Sequence, residues 1–302
     1  GLQQCDMVDN EDNHFLEWKA AHEGDLLLGS TITDDEKLQL LKLLYLYRAV
    51  FAKVPKCPNP VRGVEHRIKL KPGARATPKK MRLHRYSPEM LEAERLETKL
   101  LLDLGIVEPS KSPWSTNVVL VKKKNNLDGS PGGWRYAINY AATCNPVTEP
   151  DAYPSPRLDE SLEALAGNAI FSCCDCSAAF HMVPMAEESK PLTAFSTHSH
   201  GLLQWRRMPF GLVNASAEFQ RCMSIVLQGT KCRPYIDDVV CASKVREEHI
   251  NDIADMMVRY ELSGISLKYS KCEWFAEILT KYLGHRVVAN SGVATDPDKV
   301  MA

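Results

Sequence analysis

The sequence predicts an α+β protein, and three observations carry that prediction. Apolar residues recur at helical spacing in several capped segments, short β-rich runs follow them, and turn formers separate the two. The most informative β-rich run is CRPYIDDVVCA, Cys232 to Ala242, which sets Asp237 beside Asp238 between apolar stretches. Adjacent carboxylates repel unless a cation neutralises them, and a divalent metal is the simplest such cation. A surface Asp-Asp turn is the better explanation when the pair stands alone, so its meaning depends on the rest of the chain.

Length and composition bound the problem. The 302 residues, with 44% hydrophobic and 25% charged side chains, suit a globular protein with a sizeable core. No apolar run approaches the roughly 20 residues that span a bilayer, and the N-terminus is not a signal peptide, so no membrane partner is expected. The chain opens on Gly1 and is read as a piece of something longer. Ten cysteines, three of them (Cys173, Cys174 and Cys176) in one strand-like run, complete no zinc set with a nearby histidine. Buried reduced thiols in an intracellular protein, cytoplasmic or nuclear, are the expectation. The net charge of −1 hides a segregation. Residues 1–36 carry ten acids against Lys19 alone. Between Arg62 and Arg85 the balance inverts to nine cations against Glu65, the footprint of a phosphate-bearing partner or simply a solvated face.

The elements follow in order. Residues 1–32 lack a sustained apolar period and read as an acidic linker or upstream tail, either unstructured or folded over the basic face whose charge they oppose. Thr33-Asp34-Asp35-Glu36 is a capping box opening a helix through Leu40, Leu43, Leu44, Tyr47, Val50 and Phe51. Ser87 and Pro88 start a second helix, with Ala93, Leu96, Leu100 and Leu104 as its stripe and Gly105 as its end. Asn117–Val121 and Trp134–Tyr140 pair as a hairpin whose connection begins with three lysines. A helix is expected within Asp151–Leu165, a strand over Ile170–Asp175, and a helix from Asn214 to Leu227. The YIDD hairpin comes next, then a helix stopped at Gly264, then a strand pair over Lys281–Val288.

At this point the chain resembles the reverse transcriptase of gypsy-type LTR retrotransposons, related to caulimoviral and retroviral enzymes. The resemblance runs from Glu65 to Val300 and rests on LLDLGIVEPSKSPWSTNVVLVKKK, YPSPRLDESLEALAGNAIFSCCDCSAAFHMVPM, KPLTAFST, RMPFGLVNASAEFQ, YIDDVV, EEHI, KCEWF and KYLGH. It implies a right-hand polymerase fold with fingers and palm, the palm an antiparallel sheet packed on helices, and thumb and ribonuclease H absent or truncated. The implied boundaries are a linker at 1–32, an N-terminal helix and connector at 33–60, and fingers at 61–149. Palm follows at 150–185, fingers again at 186–213, palm at 214–289, and the start of a thumb or connection at 290–302.

The resemblance also implies roles. Asp175, Asp237 and Asp238 are the catalytic triad and the ligands of two Mg²⁺ ions, for which Mn²⁺ can substitute. Lys123 and Arg135 contact the incoming dNTP, lysine as a point charge and arginine as a planar fork. Phe180, five residues after Asp175, lies under the sugar and excludes a 2′-hydroxyl; a plain core aromatic is its competing explanation. Phe210 and Gly211 pack near the incoming nucleotide. Tyr235, Ile236, Tyr282, Leu283 and Gly284 hold primer and template. The implied activity is RNA-directed DNA polymerisation, with an RNA or DNA template, a primer and dNTPs as partners, in a polyprotein carrying protease, ribonuclease H and integrase.

Departures keep an alternative open. Asn139 stands where family members place an acid, Ala141 where they place arginine, and Ser216 where they place proline. None is a metal ligand, but the loss at Ala141 weakens template binding. A catalytically impaired module that grips nucleic acid or protein is the competing reading.

Overall fold

The computed structural model describes residues 13–51, 57–73, 79–123, 132–154, 156–283, 285–290 and 292–295. The elements begin with α1 (13–22), β1 (Leu27–Leu28), α2 (Asp34–Leu46) and α3 (Pro88–Asp103). Strands β2 (Val107–Pro109), β3 (Thr116–Lys122) and β4 (Trp134–Ile138) follow. Next come α4 (Leu158–Glu163), β5 (Ile170–Asp175), β6 (Phe195–Thr197) and β7 (Gly201–Trp205). Then come α5 (Ala215–Val226), β8 (Cys232–Tyr235), β9 (Asp238–Ser243) and α6 (His249–Ser263). The last described strands are β10 (Glu273–Ala276), β11 (Ile278–Tyr282), β12 (His285–Val288) and β13 (Gly292–Thr295). They fall into two compact units. One comprises Gly1–Asn59, Pro154–Ser177 and Gln220–Ala302, the other Pro60–Tyr153 and Ala178–Phe219.

The first unit is built on a sheet in the order β1-β10-β5-β9-β8. All its pairings are antiparallel except β1 with β10. β5 is central, and Ile170, Phe171, Ser172 and Cys174 are fully buried, as expected of a strand covered on both faces. One face carries Phe171, Val240, Ala242 and Ala276 against Leu162, Leu165, Leu279, Tyr282 and Val287. Ile253, Met256, Met257 and Tyr260 form the buried stripe of α6, which packs on β5 and β9. The helix ends where Gly264 takes φ +80°, as its glycine predicts. β11 and β12 supply the strand pair expected near residues 281–288.

The N-terminal segment corrects the sequence reading. Residues 13–28 are not a bare linker: α1 precedes β1, which pairs in parallel with β10 through Leu27↔Glu273 and Leu28↔Trp274. Phe15 and Trp18 lie against Tyr45, and Trp18 and His22 against Tyr269. The stripe of three rings over two turns is too short to register as a period, and tertiary packing stabilises it. The predicted capping box is present, with Thr33 Oγ1 accepting from Glu36 N–H and the Glu36 carboxylate accepting from Thr33 N–H. That carboxylate also accepts from Arg246 Nε at 2.7 Å and Nη2 at 3.0 Å, which holds it down at a pKa of about 2. The same guanidinium donates to Glu277 and to the Thr31 carbonyl, so one arginine stitches the N-terminal segment to the sheet.

A buried polar chain crosses the sheet. Ser243 Oγ donates to Asp252 at 2.5 Å and lies 2.7 Å from His249 Nδ1, so the histidine must donate there. His249 Nε2 then accepts from Ser172 Oγ at 2.8 Å, and Ser172 Oγ accepts from Phe275 N–H. The ring is neutral, and burial pushes its pKa down to about 4. The unfolded histidine binds its proton near pH ~6.5. This contribution to stability is therefore complete above that pH and is lost as pH falls toward 4. Thermal melts are expected to show that acid slope in the parent and a shallower one in His249→Asn.

The second unit holds a sheet in the order β2-β7-β6-β3-β4, antiparallel except for β3 with β6. The expected hairpin is present as β3 and β4, and Ser87 caps α3 by accepting from Met90 N–H. The stripe of α3 is another correction. Its buried positions are Glu94, Thr98 and Leu101, whereas Leu96 and Leu100 are exposed. The buried polar groups have partners: Thr98 Oγ1 meets Tyr136 at 3.0 Å, and Glu94 meets His198 Nδ1 at 2.8 Å. His198 Nε2 faces the His84 carbonyl at 3.0 Å, so the ring lies between two acceptors.

Candidate active site

The three aspartates of the sequence reading all lie in the first unit, and strand pairing brings them together. β5 and β9 run antiparallel in a register that makes Asp175 and Asp238 direct partners. β8 and β9 pair through Tyr235↔Asp238, leaving Ile236 and Asp237 as a two-residue connection. The backbone fixes the ends: Cys176 N–H donates to the Asp237 carbonyl at 3.1 Å and Lys268 N–H to the Asp175 carbonyl at 3.0 Å. Asp237 is exposed, and Asp175 and Asp238 are half-buried.

Electrostatics mark the cluster as short of positive charge. Burial, followed by repulsion from Asp237 and Asp175, pushes the Asp238 carboxyl up to about 6; Lys271 pulls weakly the other way. Lys271 Nζ sits 2.9 Å from Asp175 Oδ2, the one ion pair that the three carboxylates form among the described residues. Among the described residues no group of three or more His, Cys, Asp or Glu side chains is placed so as to hold a metal ion. The paired carboxylates of Asp175 and Asp238 suit Mg²⁺, a hard cation usually held by one or two carboxylates together with substrate phosphates and water.

The turn is strained, and a residue outside the predicted site holds it. Ile236 has φ +56°, a left-handed conformation that a β-branched side chain rarely adopts. The buried Gln220 of α5 clamps it. Its Oε1 accepts from Ile236 N–H at 2.6 Å, and its Nε2 donates to the Pro234 carbonyl at 3.1 Å. Gln220 and Lys271 both lie inside motifs quoted above, yet spacing along the chain gives neither a partner. Gln220→Leu should leave Ile236 N–H unpaired and let the turn relax. A loss of about 1–3 kcal/mol in stability is expected, checked by chemical denaturation.

The other predicted residues divide between the units. In the first, Tyr235 and Ile236 are half-buried beside the aspartates. Tyr282 is only 3% exposed and belongs to the core, where burial raises its phenol pKa; Leu283 packs partly against the same cluster with φ +51°. Gly284 lies outside the described residues. In the second unit, Arg135 on β4 pairs with Val121 of β3, and Lys123 N–H donates to the Gly133 carbonyl. Both side chains are exposed, and among the described residues neither forms an ion pair. The Phe180 ring is 4.9 Å from Phe210, which is 52% exposed, and 6.0 Å from Phe219. Gly211 takes φ +92°, and a Cβ there would lie 3.1 Å from the Ile138 carbonyl, so glycine is required on both counts. Asn145 Nδ2 fixes it by donating to its carbonyl at 2.8 Å. Ala141 and Ser216 are exposed, and Asn139 is half-buried with its N–H on the Asn117 carbonyl.

Residues 121–287, more than half of the chain, match the family model described as reverse transcriptase (RNA-dependent DNA polymerase). The chain belongs to the reverse transcriptase family. Relatives of this reverse transcriptase chain include the retrovirus-related Pol polyprotein from transposon 297 of Drosophila melanogaster, 37% identical over 205 residues. That match covers 67% of this chain and 19% of the relative. The enzymatic polyprotein of cauliflower mosaic virus is 35% identical over 233 residues, 76% of this chain and 33% of the relative. The chain thus spans about a fifth to a third of these polyproteins. Among solved structures, the foamy viral protease-reverse transcriptase dRH in complex with double-stranded DNA matches with a TM-score of 0.79 at 21% identity. It covers 90% of this chain and 46% of that one, a likeness of fold. No described helix is long and apolar enough to cross a membrane.

Proposed function

We propose that this chain is the RNA-directed DNA polymerase portion of a gypsy-type LTR retrotransposon polyprotein. The observation that carries the reading is the pairing of Asp175 with Asp238, with Asp237 next to it at the turn, in a member of the reverse transcriptase family. The first unit serves as palm and the second as fingers. Asp175, Asp237 and Asp238 would hold two Mg²⁺ ions, which when bound supply charge and Lewis acidity for nucleotidyl transfer to a primer. Lys123 and Arg135, exposed cations, bind the dNTP triphosphate. Phe180 packs against Phe210 and excludes a 2′-hydroxyl from the sugar site, with Gly211 allowing close backbone approach. Tyr282, Leu283 and Gly284 form the primer grip, and Tyr235 and Ile236 contact the template-primer beside the metals. Protease, ribonuclease H and integrase share the polyprotein, and the assembled particle is intracellular.

A second reading, a module that grips nucleic acid without catalysis, is favoured by the exposed alanine at position 141 where the family pattern has a template-side arginine. Primer extension on an RNA template with a DNA primer and dNTPs, in Mg²⁺ and separately in Mn²⁺, separates the two. Metal-dependent extension supports the polymerase. Template binding without extension in either metal, with thumb and ribonuclease H also supplied, supports the binding module.

A further inference from the structure

We propose that Cys232 and Cys241 close a reversible cross-strand disulfide when a hydroperoxide reaches them, and that this bond reshapes the hairpin carrying Asp237 and Asp238. The two residues are direct partners on β8 and β9. Among the described strands no other two cysteines are register partners, although Cys272, just before β10, also hydrogen-bonds Cys174. Both thiols are free.

The rung is of the right kind. With Tyr235↔Asp238 closing the two-residue connection, pairs alternate outward, and Pro234↔Val239 and Cys232↔Cys241 fall on non-hydrogen-bonded positions. Three details agree. Proline has no N–H to give, its carbonyl turns away to Gln220, and Cys232 N–H donates to Thr230 Oγ1 at 3.2 Å. Such pairs hold their Cα atoms about 4.5 Å apart with side chains close. That separation lies within the roughly 4.4–6.8 Å that a disulfide spans.

The two sulfurs are not equivalent. β8 is an edge strand, and Cys232 keeps 5% exposure while Cys241 has none. The thiols hydrogen-bond to each other, and that bond together with burial raises the Cys241 pKa. Cys232, on the edge strand and the more exposed of the two, is the sulfur that a peroxide meets first and is the attacking group. Its sulfur attacks one peroxide oxygen, the O–O bond breaks, and the departing hydroxide takes the thiol proton and leaves as water. Cys241 sulfur next attacks the Cys232 sulfenic acid, and its proton leaves with the hydroxyl as a second water. Two electrons pass from the thiols to the peroxide. The new bond pins a rung three residues from both Tyr235 and Asp238, at the far end of which Ile236 is already strained.

The test treats the folded full chain with hydrogen peroxide, then alkylates, digests and maps it by mass. Amide exchange across 232–243 is compared before and after. The expected result is a Cys232–Cys241 linked peptide reversed by a thiol reductant, absent in Cys232→Ser and Cys232→Ala, with altered exchange at the turn only in the parent. If the polymerase reading of the site also holds, extension falls by about tenfold on oxidation, returns on reduction, and resists oxidation in both variants. Recovery of both cysteines unlinked, or a linked peptide with exchange at the turn unchanged, overturns the proposal. Mass and exchange need no enzymatic activity, so a chain that extends no primer still decides it.

Discussion

Replacing Asp175 with asparagine is expected to reduce primer extension by at least about a thousandfold, with the fold intact. The carboxylate is half-buried at the end of the central strand and opposite Asp238 across the β5–β9 rung. Asparagine keeps its shape and removes its charge. Two consequences should appear together. Mn²⁺ binding, followed by electron paramagnetic resonance, weakens because a hard anionic ligand is gone. Lys271 also loses its charged partner, so its 2.9 Å contact loosens. Circular dichroism and melting temperature should change little, because relieving repulsion at Asp238 offsets the lost ion pair. Extension retained within a few-fold of the parent would mean that Asp175 is not a ligand.

The largest structural effect is expected at Gly29. A Cβ at this position would lie 1.8 Å from the Phe275 carbonyl oxygen and 2.9 Å from Ala276 Cα, both backbone atoms that cannot rotate away. Gly29 N–H also donates to the Trp274 carbonyl at 2.8 Å, extending the β1–β10 pairing by one bond. Gly29→Val should therefore force β1 off the sheet and cost about 3 kcal/mol or more. Urea denaturation reads the loss directly. The same result distinguishes an integral N-terminal segment from a spacer. Deleting residues 1–32 should behave like Gly29→Val, lowering stability instead of merely uncovering a nucleic-acid surface. An unchanged denaturation midpoint in both would return this segment to the status of a linker.

These two residues mark what was legible in the sequence. The strand over Ile170–Asp175 and the YIDD hairpin could be read because β-rich runs end in carboxylates whose repulsion demands an explanation. Helix starts at Thr33 and Ser87 were legible for a local reason as well, since caps satisfy backbone groups within one turn. The N-terminal segment was not. β1 is two residues long, and its partner lies on β10 near the other end of the chain. α3 misled in a different way. Its leucines suggested a buried stripe, but Glu94 and Thr98 found His198 and Tyr136 and turned the helix so that polar groups face inward. Lys271 lies 96 residues from Asp175, and Gln220 lies 16 from Ile236; each contact exists only after the sheet has formed. Tyr282 shows the converse limit, a motif residue whose side chain serves the core.

The central claim is that the paired aspartates of β5, the turn and β9 support polymerisation. Its most direct test runs the parent chain beside an Asp237→Asn, Asp238→Asn double variant on one RNA template with a DNA primer, dNTPs and Mg²⁺. Extension by the parent that vanishes in the variant, with both chains equally folded, is the predicted result. Extension that persists in the variant at the parent's rate would place the chemistry elsewhere and contradict the account.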